Sequence, residues 1–117
     1  MVMQHFSRFA VSVVVALAMG VACASGLPEP THADVGWAKA RRPESTLDEL
    51  QHGRKLYVAR CAGCHALKSP DMLPPGKWIG EIAEMRTKHG VAIADREELL
   101  IAQYLDTMSA RRPPPDR

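Results

Sequence analysis

Three features of the sequence predict an all-α fold, a small domain of three main helices packed around a bound group. Stretches at 46–61, 77–90 and 95–108 carry apolar residues at the 3.6-residue spacing of a helix buried on one side, with no convincing strand between them. The chain has 117 residues with an aromatic content of only 5%, and both phenylalanines, Phe6 and Phe9, lie in an N-terminal apolar run. Without that run fewer than about 100 residues remain, a size at which apolar burial by side chains alone is marginal. The third feature is the run Cys61-Ala62-Gly63-Cys64-His65.

Residues 1–24 read as an export signal: Arg8, with His5, precedes an apolar stretch from Phe9 to Ala24 interrupted only by Ser12 and Cys23. The stretch is short for a transmembrane span and the right length for a signal core. Two exits fit. Ala22-Cys23-Ala24 has the small-x-small form of ordinary cleavage, releasing a protein from about Ser25, while Gly20-Val21-Ala22-Cys23 resembles a lipobox that would leave Cys23 lipidated. Either exit places the mature protein in the periplasm, soluble or anchored through Cys23. Residues 25–45, with Pro28, Pro30, Gly36 and Pro43, are expected to be a linker or irregular wrap, with His32 solvated and Trp37 either covering the domain or exposed.

The domain proper is expected at 46–110. A first helix begins near Ser45-Thr46, where Thr46 and Glu49 form a capping-box pattern, and runs into Cys61. Gly53 within it costs about 1 kcal/mol against Ala, which points to another backbone passing close by. His52 reads as a surface residue. Residues 66–76, rich in proline, form a loop. The second helix runs from Lys77 to about Gly90, a suitable left-handed cap, with Trp78, Ile82 and Met85 in one stripe and His89 four positions on. The third starts at Asp95, with Glu98 completing a capping pattern and Leu100 or Ile101, Tyr104, Leu105 and Met108 on its buried face. The tail, 111–117, holds three consecutive prolines and cannot continue the helix.

The Cys61–His65 run carries the chemistry. Two thiols three positions apart on a helical turn lie on one face and can bond the two vinyl groups along one edge of a haem. The imidazole of His65 follows as proximal iron ligand. A zinc site would need four ligands and there is no second cysteine pair; a redox dithiol would need a βαβ setting; a disulfide would leave His65 unexplained. One such run means one covalent haem. Pro70 either places the carbonyl that accepts the second ring N–H of His65 or simply stops the helix. Lys77 or Trp78 either meets a haem propionate or is a surface lysine and a core tryptophan.

Gly53-x-x-x-Tyr57, then C-A-G-C-H, then Ile101-x-x-Tyr104-Leu105 together resemble the small class I c-type cytochromes, over residues 46–108. The proline-rich loop followed by Trp78 and Met85 resembles a subgroup of very short bacterial monohaem domains. The resemblance implies that the first and last helices cross where Gly53 permits close approach, with Tyr57 against Tyr104 or Leu105. It also implies an electron carrier rather than an enzyme. This chain departs from the longer family members in having only twenty positions between His65 and Met85.

The distal iron ligand is therefore chosen among Met72, Met85, Met108 and His89. Met72 follows His65 too closely to travel around the haem, and Met108 is needed for packing. Met85 has enough chain and precedes the last helix, so it is the choice, with Met72 and His89 as alternatives; the competing role of any helical methionine is core filler. His/Met ligation raises the reduction potential. Glu81, Glu84, Glu97 and Glu98 read as solvated helix charge. From Cys23 onward 14 basic residues face 13 acidic ones, a net of +1 that speaks against a nucleic-acid partner. The expected partners are redox proteins that donate and accept single electrons, with the membrane reached only through Cys23. A haem-based small-ligand sensor with an open distal site is the alternative.

Overall fold

The computed structural model describes residues 26–63 and 66–111. Among them are four α-helices, α1 (His32–Lys39), α2 (Leu47–Cys61), α3 (Trp78–Lys88) and α4 (Asp95–Ala110), a 3-10 turn at Pro70–Met72, and no strand. The all-α expectation holds. The signal segment with Cys23, the residues Cys64 and His65, and tail residues 112–117 lie outside the described residues.

α2 begins as its capping residues dictate. The Thr46 Oγ1 accepts the Glu49 N–H at 3.2 Å, satisfying one of the amides that a helix start leaves bare. The Glu49 carboxylate does not reach back to close the box; it pairs with Arg96 of α4 at 2.9 Å. α3 ends at His89 and Gly90, where Gly90 has φ +67°. At the start of α4 the side-chain contact comes from Glu97, not Glu98: its carboxylate accepts the Ala94 N–H at 3.1 Å.

Residues 26–45 differ most from the sequence expectation, because α1 stands where an irregular stretch was predicted. Asp34 starts it, accepting from the Thr31 N–H at 2.7 Å and the Thr31 hydroxyl at 2.9 Å, while Asp34 and Ala38 are buried against the body of the domain. The strap before it is also tied down. Arg54 donates to the Leu27 carbonyl at 3.3 Å and the Tyr104 hydroxyl to the Pro28 carbonyl at 2.8 Å. Trp37 remains half-exposed on the outer side of α1.

The core lies where α4 crosses the other helices. Leu100, Ile101, Ala102, Tyr104, Leu105 and Met108 of α4 are all buried, and Leu50 and Tyr57 of α2 and Trp78 and Ile82 of α3 are buried with them. α2 and α4 meet at Gly53. A Cβ built there would stand 2.2 Å from the Leu100 carbonyl oxygen and 2.9 Å from the Tyr104 Cβ. One turn on, the Tyr57 and Tyr104 rings pack tilted with centroids 6.5 Å apart. Both contacts agree with the helix crossing expected from Gly53 and Tyr57.

Helix propensity alone favours alanine over glycine by about 1 kcal/mol. Overpacking against backbone costs about 1–3 kcal/mol or more. Gly53→Ala is therefore expected to lower stability and the melting temperature in a thermal or urea unfolding experiment. A stabilised variant would show that the two helices do not meet this closely.

Candidate functional site

α2, α3 and the segment joining α3 to α4 enclose a cavity of about 500 Å³, within the range typical of small-molecule and cofactor sites. Its wall includes Tyr57, Arg60 and Cys61 from α2, Lys68 from the loop, and Trp78, Glu81, Ile82 and Met85 from α3. His89, Val91 and Ile93 complete it. Cys61, the first cysteine of the C-x-x-C-H run, thus opens on the same space as Met85, and also as Trp78 and His89.

Three devices hold these walls. The Trp78 Nε1–H donates to the Pro70 carbonyl at 2.9 Å, and both residues are buried. Pro70 therefore anchors the indole that faces the cavity, and Trp78 is a buried core residue whose N–H is committed to that carbonyl. Asp106 of α4 accepts the Gly76 N–H at 2.8 Å, fixing the entry to α3, and burial raises the pKa of its carboxyl. Arg86 grips Asp95 at 2.6 Å and Glu98 at 2.8 Å, tying the far end of α3 to α4.

The acidic residues predicted as solvated charge are ion-pair partners. Arg60 meets Glu97 at 2.7 Å and Lys68 meets Glu81 at 2.9 Å, so each cation at the cavity wall stands beside a carboxylate. Glu98 serves Arg86, and Glu84 pairs with Lys88 along α3. The Arg60 hydrogen bond holds the Glu97 carboxyl below its usual pKa.

The other sequence candidates separate cleanly. Met72 is 61% exposed on the turn after Pro70 and is not part of this wall. Met108 is 4% exposed in the core and borders a different cleft, beside Pro28 and Arg111. Lys77 is exposed, and His32 and His52 are exposed and away from the cavity. Sequence reading missed Arg60, Lys68, Val91 and Ile93 as wall residues. Adjacency to Cys61 could have flagged Arg60; nothing local marks Val91 and Ile93, which reach the wall because the chain reverses at Gly90.

Comparison of the chain with protein-family models, with curated proteins and with solved structures gives no match. Among the described residues no group of three or more His, Cys, Asp or Glu side chains is placed to hold a metal ion by itself. No helix among them is long and apolar enough to cross a membrane. Among the described residues the largely apolar wall includes the Cys61 thiol, the Met85 thioether and the His89 imidazole, beside the Tyr57 hydroxyl and the Glu81 carboxylate. A thiol beside a thioether in such a wall is chemistry compatible with an iron porphyrin bonded through sulfur.

Tyr57 reports on the wall. Burial, and then the neighbouring Cys61, push its pKa from 10.0 up to about 12, and its hydroxyl donates to the Lys68 carbonyl at 2.9 Å. Burial likewise pushes the Tyr104 hydroxyl up to about 12. Both folded-state values lie above the unfolded one, so the folded protein holds these protons more tightly. Their contribution to stability is complete below pH 10 and is lost as the pH rises from 10 towards 12. Urea unfolding across that range is expected to show steeply falling stability. Tyr57→Phe is expected to shallow the slope while costing about 1 kcal/mol at neutral pH for the lost hydrogen bond. An unchanged slope would place the Tyr57 hydroxyl in solvent.

Proposed function

We propose that the chain is an exported monohaem c-type cytochrome that carries single electrons between redox proteins, with a small class I cytochrome-like fold. The observation that carries this reading is the shared cavity. Cys61 of the C-x-x-C-H run and Met85, chosen from sequence as distal ligand, line one apolar space of a size suited to a cofactor. The close crossing of α2 and α4 at Gly53, with the Tyr57–Tyr104 contact, supports the fold assignment.

The Cys61 and Cys64 thiols would hold the haem covalently, His65 would be the proximal ligand and Met85 the distal one. When bound, the haem supplies one reversible electron, at a potential raised by thioether ligation. The chain's own residues do the rest. Trp78, Ile82, Val91 and Ile93 line the space with apolar surface and keep water from the metal. The Trp78–Pro70 hydrogen bond and the Arg86 clamp hold α3, and with it Met85, in one position, so the ligand set need not rearrange when the charge changes. Arg60 and Lys68 at the wall are neutralised within the chain by Glu97 and Glu81.

The signal segment and the site of c-type haem attachment both point to the periplasm, with Cys23 either removed or lipidated as a membrane anchor. Partners are redox proteins.

Spectroelectrochemistry of the exported full-length protein tests the assignment. The expected result is a single reversible one-electron wave, no rapid CO binding by the ferrous form, and a weak ferric band at the red edge of the visible spectrum from sulfur–iron charge transfer. Met85→Ala is expected to abolish that band and lower the potential. Rapid CO binding by the unaltered protein would instead favour a small-ligand sensor with an open distal site; an unchanged band in the variant would remove Met85 from the iron.

A further inference from the structure

Met85 and His89 stand one helical turn apart, at i and i+4, and both line the cavity that Cys61 opens on. They differ in depth. Met85 is half-buried in the wall, whereas His89 is exposed at the end of α3. The helix terminates on Met85 itself, because the amides of His89 and Val91 both donate to its carbonyl, at 3.2 and 3.3 Å. Gly90 then reverses the chain and returns Val91 and Ile93 to the wall, so His89 sits on the cavity's lip.

The Arg86 clamp on Asp95 and Glu98 divides this end of α3 in two. Residues up to the clamp are tied to α4. His89 and Gly90 lie beyond it, exposed, in a turn whose conformation a glycine sets. The other nitrogen donors on the wall are engaged elsewhere, Lys68 with Glu81 at 2.9 Å and Arg60 with Glu97 at 2.7 Å.

Resting on the haem reading above, we infer that His89 is a reserve distal ligand. When the Met85 thioether is missing, the last turn of α3 brings the His89 imidazole into its place, so the iron stays closed to small molecules instead of opening. Imidazole is a harder donor than thioether, so the reserve state has a lower potential than the resting one.

The test uses the exported, haem-loaded full chain in three versions: Met85→Leu, His89→Ala and the double variant. Leucine is chosen because it keeps the volume of methionine and with it the packing of α3. Met85→Leu is expected to give a low-spin, six-coordinate ferric spectrum and a lowered potential. His89→Ala alone is expected to keep the spectrum of the unaltered protein. The double variant is expected to turn high-spin and to bind CO about tenfold or more tightly than Met85→Leu, since no internal ligand then competes for the iron. A Met85→Leu protein that is already high-spin and binds CO as the double variant does would overturn the inference. So would a double variant that stays low-spin, which would hand the role to another donor such as Lys68. Haem-free but folded unaltered protein would instead contradict the cytochrome reading.

Discussion

The close approach of α2 and α4 at Gly53 sets the rest of the structure. The Leu100 carbonyl occupies the space where any other residue would carry a Cβ, so the two helices are fixed in both separation and register. α2 ends eight positions later at Cys61. α4 in turn positions α3, through Asp106 at its entry and Glu98, gripped by Arg86, at its exit. Cys61 and Met85 are therefore brought to one cavity by way of a helix that contributes neither of them.

This arrangement explains why so short a chain devotes so much of α4 to its interior. Among the described residues, Trp78 is the single buried tryptophan, and the two tyrosines lie at the helix crossing. The cavity of about 500 Å³ leaves a largely apolar wall open among the described residues. A flat apolar cofactor bonded at Cys61 would bury that wall. The polar contacts around it are organised to leave it apolar: the Trp78 N–H, the Tyr57 hydroxyl and both wall cations all have partners within the chain.

Much of this was legible in the sequence where the signal is local. Thr46 and Glu49 marked the start of α2, Gly90 the end of α3, and the Trp78, Ile82, Met85 stripe the face of α3 that meets the cavity. Gly53 predicted a close approach because its helix cost needs a compensating contact. α1 escaped notice because its buried side chains are only Asp34 and Ala38, too small and too polar to make an apolar stripe. Its legible trace was Thr31-x-x-Asp34, a capping pattern hidden among prolines. The helix starts at Asp95 as expected, but Asp95 is its first residue and Ala94 its cap, so the side chain that reaches back is Glu97 and not Glu98. The ion pairs joining Arg60 to Glu97 and Arg96 to Glu49 link residues far apart in the chain, and only the fold decides which charge meets which.

The central claim is covalent, and mass spectrometry of the exported protein tests it most directly. Digestion should yield a peptide containing Cys61 to His65 that is heavier by one haem and carries its absorbance. The same peptide recovered at its unmodified mass from folded, exported protein would contradict the account.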